Sequence, residues 1–186
     1  MASITCPVCD LTYVPDVPAD LAQHSERHAK VWSALHPQSD PSFLQAASET
    51  QGRPIFVCCA SEQWKNKAVH GCSLAFACEM PQGAVAWPPN GDLPLTCQAY
   101  LFADDTHTIP IGAVAGACGF REVEYRDAPP IWRLEWIWLV PGVRRRGILT
   151  RQWEWLKSHH GEFDLVAVSD AMKSFCRKIG IRAYGL

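Results

Sequence analysis

Ile131-Trp132-Arg133-Leu134-Glu135-Trp136-Ile137-Trp138-Leu139-Val140 runs directly into Pro141-Gly142-Val143-Arg144-Arg145-Arg146-Gly147-Ile148-Leu149-Thr150. The first ten residues are mostly apolar and rich in aromatic and β-branched side chains, which reads as a buried strand. Pro141 and Gly142 stop it. A helix is predicted from about Arg146 to His160, closed by Gly161. Between strand and helix, the first amides of the helix are free and stand at the positive end of its dipole. Three consecutive arginines add forked cationic donors suited to phosphate oxygens. Strand, basic turn and helix together predict an anion site fit for a pyrophosphate. Neither a P-loop nor the glycine fingerprint of dinucleotide-binding folds is present.

Downstream, Phe163–Val168 reads as a strand, Ala171–Ile179 as a helix and Ile181–Leu186 as an extended end. Upstream, Leu95–Phe102 and Ile109–Phe120 read as two strands joined by the polar Ala103–Thr108 loop, a hairpin. Residues 61–80 space Trp64, Ala68, Val69, Cys72, Phe76 and their neighbours as a helix does. Pro54–Ala60 is a short apolar run and is predicted to be a strand. The order β-α-β-β-β-α-β-α-β makes one mixed α/β sheet with helices packed on it. Residues 39–53 are rich in Ser, Pro, Gln and Gly and read as a linker. It would separate residues 1–38 from a domain at 54–186.

The N-terminal part carries Cys6-Pro7-Val8-Cys9, then His24-Ser25-Glu26-Arg27-His28. Two thiolates separated by two residues share one tight turn, and imidazoles at i and i+4 share one helix face. Together they offer the tetrahedral Cys2His2 set of a structural zinc ion. Asp20, or a residue just before it, is expected to cap that helix. The helix continues through Val31, Trp32 and Leu35 until His36-Pro37. Four protein ligands leave no open position, so the metal holds the fold and the chemistry lies elsewhere.

Composition narrows the classes. The chain has 186 residues and a net charge of −2, so it lacks the global basic signature of nucleic-acid binding. No run of about eighteen apolar residues predicts a membrane span, and no basic-then-apolar leader precedes Cys6. A cytoplasmic protein is expected. Nine cysteines are many, but those outside the finger are scattered through apolar runs and read as reduced core residues.

The basic turn resembles the acetyl-CoA loop of the GNAT acyltransferase superfamily: Gln or Arg, two residues, Gly, one residue, then Gly or Ala. Arg144 and Gly147 match, while Leu149 stands where a small residue is usual. Ser169–Ile181 resembles the superfamily's later helix, with Phe175 and Gly180 matching, Ser169 in the place of Asn and Cys176 in the place of Tyr. The finger, with Cys6, Cys9, Tyr13, Asp20, His24 and His28, is similar to that of the sister-chromatid cohesion acetyltransferases. So are Ile137-Trp138-Leu139 with Arg144, Arg145 and Ile148, and the Ser169-Asp170 pair. The resemblance covers residues 6–28 and roughly 135–180 and carries nothing over for 40–130. Glu135 stands where that family has a catalytic serine.

The resemblance implies a mixed, mostly antiparallel GNAT-like sheet flanked by helices behind a zinc finger, α+β in class. It implies an N-acetyltransferase using acetyl-CoA, with a protein lysine as expected acceptor. A small-molecule amine acceptor stays open, as does a non-catalytic binder on a degenerate scaffold. Acidic Asp104, Asp105, Glu122, Glu124 and Asp127 fall in plausible substrate loops. Arg27 and Lys30 are too few for strong DNA binding by the finger. Glu135 is the candidate general base, as the one carboxylate in its apolar strand. Ser169 and Asp170 are candidates to orient the amine, and Cys176 to reprotonate the thiolate. Ile137, Trp138, Leu139, Val140, Val143, Arg144, Arg145, Arg146, Gly147, Ile148, Leu149 and Thr150 are the expected cofactor contacts.

Overall fold

The computed structural model describes residues 2–80, 87–92, 94, 96–126, 128–166 and 169–180. A long hairpin sets the sheet. Its strands β5 (Val114–Tyr125) and β6 (Ala128–Leu139) pair from Gly116↔Leu139 to Tyr125↔Ala128. β5 begins at Val114 rather than at the predicted Ile109, and both strands run further toward the turn that joins them than their apolar runs do, because Arg121–Tyr125 and Ala128–Arg133 pair backbone to backbone. β4 (Cys97–Ala103) pairs antiparallel with β5, and β3 (Ile55–Val57) antiparallel with β4. β7 (Asp164–Leu165) pairs parallel with β6, giving the order β3-β4-β5-β6-β7. The sheet is thus mixed and mostly antiparallel, as expected.

Two close approaches need glycine. A Cβ on Gly116 would stand 2.3 Å from the Trp138 carbonyl oxygen, and one on Gly119 would stand 2.3 Å from the Trp136 indole nitrogen. Between them the register slips: Gly119 pairs with Trp136 but Phe120 with Leu134, so Glu135 is an extra residue, a β-bulge. Side chains beyond the bulge therefore swap faces. Trp136 turns toward Phe76 of α3 (Gln63–Glu79), while Phe120 stacks on His160 of α4 (Ile148–His160) on the other face. The core lies on both sides of the sheet, with Tyr100, Leu101, Phe102, Phe120, Trp153 and Leu156 all buried. The last described helix is α5 (Asp170–Lys178). The predicted extended end, residues 181–186, lies outside the described residues, as do 81–86 within the predicted turn and 167–168 within the predicted strand.

The N-terminal part holds a hairpin, β1 (Ile4–Thr5) with β2 (Thr12–Tyr13), and α1 (Pro18–Leu35). The cap differs from the expectation. Val17 is the N-cap with Pro18 after it, and Asp20 instead accepts a hydrogen bond from the Val14 amide. The segment read as a linker also differs, since it contains α2 (Pro41–Glu49). Asp40 accepts from the amides of Ser42 and Phe43, Pro41 presets the first turn, and Phe43 is buried in the main core. Burying that one ring is worth about 2 kcal/mol, which a polar composition conceals. The finger is not free of the sheet. α1 packs along α3, and Cys6, Cys9, Val31 and Leu74 form one buried cluster. Among the described residues no helix is long and apolar enough to cross a membrane.

Candidate functional site

The hairpin turn and α1 bring Cys6, Cys9, His24 and His28 together, with their ligand atoms all within 4.8 Å of one another. Cys6 Sγ lies 3.3 Å from His28 Nδ1, close to the roughly 3.5 Å edge of a zinc tetrahedron with one sulfur and one nitrogen ligand. His24 Nε2 is buried with no hydrogen-bond partner among the described residues, and a metal ion would satisfy it. Tyr13 fixes that ring by stacking at 3.9 Å, 3° from parallel. Burial pushes the Cys6 thiol up, but hydrogen bonds from the Cys9 amide and from His24 outweigh it and bring it down to about 5, favouring the thiolate a metal needs. Arg27 Nε and the Cys78 thiol both donate to the Cys9 carbonyl, at 3.0 and 3.2 Å. The set fits a structural zinc ion.

A second site lies beside the pairing of β6 with β7. Their described pairing is Arg133↔Asp164 and Leu134↔Leu165, extended by the Val166 amide donating to the Leu134 carbonyl. Beside it lies a small, solvent-open cleft. Leu134, Trp136 and Ile137 form one wall, and Leu165 and Val166 the other. Phe76 closes it from α3, and Met172 of α5 and Ser169 just before that helix close it from the other side. It is an apolar slot between the carboxyl ends of two parallel strands, with a helix N-terminus following each.

The basic turn follows β6. Pro141–Val143 form a single 3-10 turn, Arg145 takes φ 63° and Gly147 φ 82°, and α4 begins at Ile148. Buried Val143 and Ile148 pin the turn to the core, and half-buried Leu149 packs beside them. The amides of Arg144 and Arg146 bond within the turn. Those of Arg145, Gly147, Ile148, Leu149 and Thr150 have no protein acceptor among the described residues, an anion-binding nest at a helix start. Arg145, Arg146 and Thr150 are exposed.

Several expected contacts stand elsewhere. Arg144 folds back: its Nε donates to the Leu139 carbonyl at 2.8 Å, and its Nη2 pairs with Glu79. The Val140 amide bonds to the Ala115 carbonyl. Trp138 is buried, its indole donating to Glu79 at 2.9 Å. Of the four residues Ile137–Val140, Ile137 alone lines the cleft. Glu79 at the α3 end takes up the Trp138 indole and Arg144, while the Ala115 carbonyl takes up the Val140 amide.

Glu135 is buried at the bulge, between two cleft-lining residues. Both its oxygens are held by Arg121, at 3.2 Å from Nε and 3.1 Å from Nη2. Ser169 lines the cleft and also caps α5, accepting from the Met172 amide at 3.2 Å. Asp170 does not join them. Its side chain is exposed and pairs with Lys173, the ordinary place of a first-turn acid. Cys176 is fully buried, and burial pushes its thiol up, so it is a packed core group rather than a poised acid. The acids at Asp104 and Asp105 are committed within the fold. Asp104 accepts from Thr106, Thr108 and Ile109 amides, which hold its carboxyl below the usual range despite partial burial. Asp105 pairs with Arg151. Asp127 lies outside the described residues. Sequence reasoning missed Phe76 and Glu79, because no local spacing marks them; Arg121 was one of two arginines, with Arg133, that it weighed as a partner of Glu135.

The comparisons with known proteins bear on the first site most directly. Residues 1–30 match a family described as the zinc-finger of acetyl-transferase ESCO, which contains all four proposed ligands. No curated protein matches the chain. Among solved structures, an acetyltransferase of Trypanosoma brucei matches at 15% identity and a TM-score of 0.37, over 49% of this chain and 66% of that one, just under two thirds of its length.

Proposed function

We propose that the protein is an acetyltransferase of the GNAT type, taking acetyl-CoA and passing its acetyl group to an amine, with a protein lysine as acceptor. One observation carries this reading: the free amides of Arg145 and of Gly147–Thr150 stand beyond the carboxyl end of β6, whose Trp136 and Ile137 line an apolar cleft with Leu165 and Val166. A thioester with a diphosphate at one end and a slender chain at the other needs both features. The ESCO-type finger supports the same reading, since that family's description pairs such a finger with an acetyltransferase.

In this reading the diphosphate sits on the amides, Arg145 and Arg146 supply charge, and the chain lies along Ile137 toward Trp136 and Leu165. Bound zinc supplies a rigid clamp and no catalytic step. Glu135 takes the amine's proton. Its oxygens keep acceptor sites beyond the Arg121 bonds, so a water can carry that proton. The amine nitrogen attacks the thioester carbonyl, the carbon–sulfur bond breaks, and the coenzyme leaves as thiolate. The reading is tested by titrating the zinc-loaded chain with acetyl-CoA in a calorimeter. Micromolar binding that Arg145→Glu weakens by about a hundredfold is expected, from reversed charge and a lost contact. Absence of binding by folded, zinc-loaded protein would sink it.

A further inference from the structure

The last turn of α3 touches both sites through neighbouring residues. Cys78 donates its thiol to the Cys9 carbonyl, and Arg27 of the finger reaches both the Cys9 carbonyl and the Cys78 sulfur. One residue on, Glu79 accepts from the Trp138 indole and pairs with Arg144. Arg144 in turn holds the Leu139 carbonyl and lies over the Trp138 ring, 5.8 Å from its centroid. About one turn earlier in the helix the same division recurs. Leu74 is buried against the metal ligands, and Phe76 lines the cleft.

We propose that Glu79 is a positioning residue for the cofactor turn, and that through α3 it links filling of the Cys2His2 cluster to affinity for coenzyme A. This rests on the acyl-CoA reading above. The metal fixes the Cys9 turn, and the Cys9 carbonyl with Leu74 fixes the register and tilt of the α3 end. Glu79 passes that position to Arg144, whose brace on Leu139 sets where β6 stops and where the nest of amides begins. Arg144 is thus an internal tie rather than a phosphate ligand. A helix is stiff along its axis, so a shift at Cys78 is felt at Glu79 with little loss. Linkage makes the effect reciprocal: coenzyme A must tighten zinc by the same factor by which zinc tightens coenzyme A.

The test uses the full chain and coenzyme A itself. Zinc affinity is measured by chelator competition with and without saturating coenzyme A, and coenzyme A affinity by calorimetry with and without zinc. The native chain is expected to show about a tenfold linkage in both directions. Glu79→Gln keeps an acceptor for the Trp138 indole and removes the charge that holds Arg144. It is expected to weaken coenzyme A by about tenfold. It should also erase the linkage while leaving zinc affinity without coenzyme A unchanged, which a merely structural residue would not do. Glu79→Asp is expected to restore part of the linkage. If the zinc-stripped finger unfolds, Cys78→Ala supplies the same test with zinc still bound at one per chain. Equal coenzyme A affinity with and without zinc overturns the proposal. So does tighter coenzyme A binding by Glu79→Gln, which would make Glu79 a competitor for Arg144 instead of its brace. Failure of the zinc-loaded native chain to bind coenzyme A would instead defeat the acyltransferase reading on which the proposal stands.

Discussion

The two sites lie on neighbouring residues of one helix and are built in opposite ways. The finger is closed: four ligands converge from 23 consecutive positions, and its cysteines are buried with Val31 and Leu74. The cleft is open to solvent, and five backbone amides of the turn that follows β6 keep no protein acceptor among the described residues. A site that must keep its ligand satisfies every polar group. A site that must exchange its ligand leaves donors waiting and lets the sheet around it bear the cost.

The largest break in that contrast is expected from the metal. Stripping zinc with a chelator removes a binding energy of about 10 kcal/mol, and replacing Cys9 by Ser removes much of it, more than the packing of α1 on α3 and the small cluster around Val31 and Leu74 replace. Amide exchange is then expected to become fast across residues 4–35 while β4 to β6 stay protected. Simultaneous loss of protection in the sheet would show that the two regions fold as one. Next comes the sheet beside the cleft. Gly116→Ala puts a methyl 2.3 Å from a backbone oxygen that cannot step aside. A loss of about 3 kcal/mol is expected in urea unfolding, with zinc content unchanged. A loss below 1 kcal/mol would mean β5 and β6 are less tightly tied than described.

A third difference is sharpened by acid. Burial beside Tyr100, Phe120, Trp132 and His159 pulls His160 down to about 4, with the charge of His159 adding to it. Its folded value lies below the unfolded one, so the stability it confers is complete above about pH 6.5 and drains away as pH falls toward 4. The loss is about 2 to 3 kcal/mol. Zinc release also destabilises at low pH, so the measured quantity is the difference between the native chain and His160→Leu. Parallel pH profiles would remove His160 as the cause. The smallest effect concerns the segment between the regions. Asp40→Ala uncaps α2 and is expected to cost about 1 kcal/mol. No change would return residues 39–53 to the status of a passive tether.

These regions also differ in how much the chain discloses before folding. All four finger ligands were readable, because they are local and the spacing itself encodes the geometry. The strand, turn and helix at 131–160 were readable for the same reason. Asp40-Pro41 signalled α2, but the surrounding Ser, Gln and Pro masked a single buried Phe43. The role of Arg144 was not readable at all. Its partner Glu79 is 65 residues away, and nothing near either residue announces the other. The bulge at Glu135 was equally hidden, and the choice between Arg121 and Arg133 as its partner is made only once β5 and β6 have set their register. Asp170 and Cys176 show the converse: a motif position places a residue on a helix, but exposure and burial decide what it can do.

The tryptophans near the cleft give the protein a voice of its own. Trp136 forms part of the slot wall, and Trp138 sits against the carboxylate and guanidinium that meet at the α3 end. Indole emission shifts with the charge and water around the ring. Entry of a ligand between β6 and β7 should therefore change the colour of the light this chain emits, without any label attached.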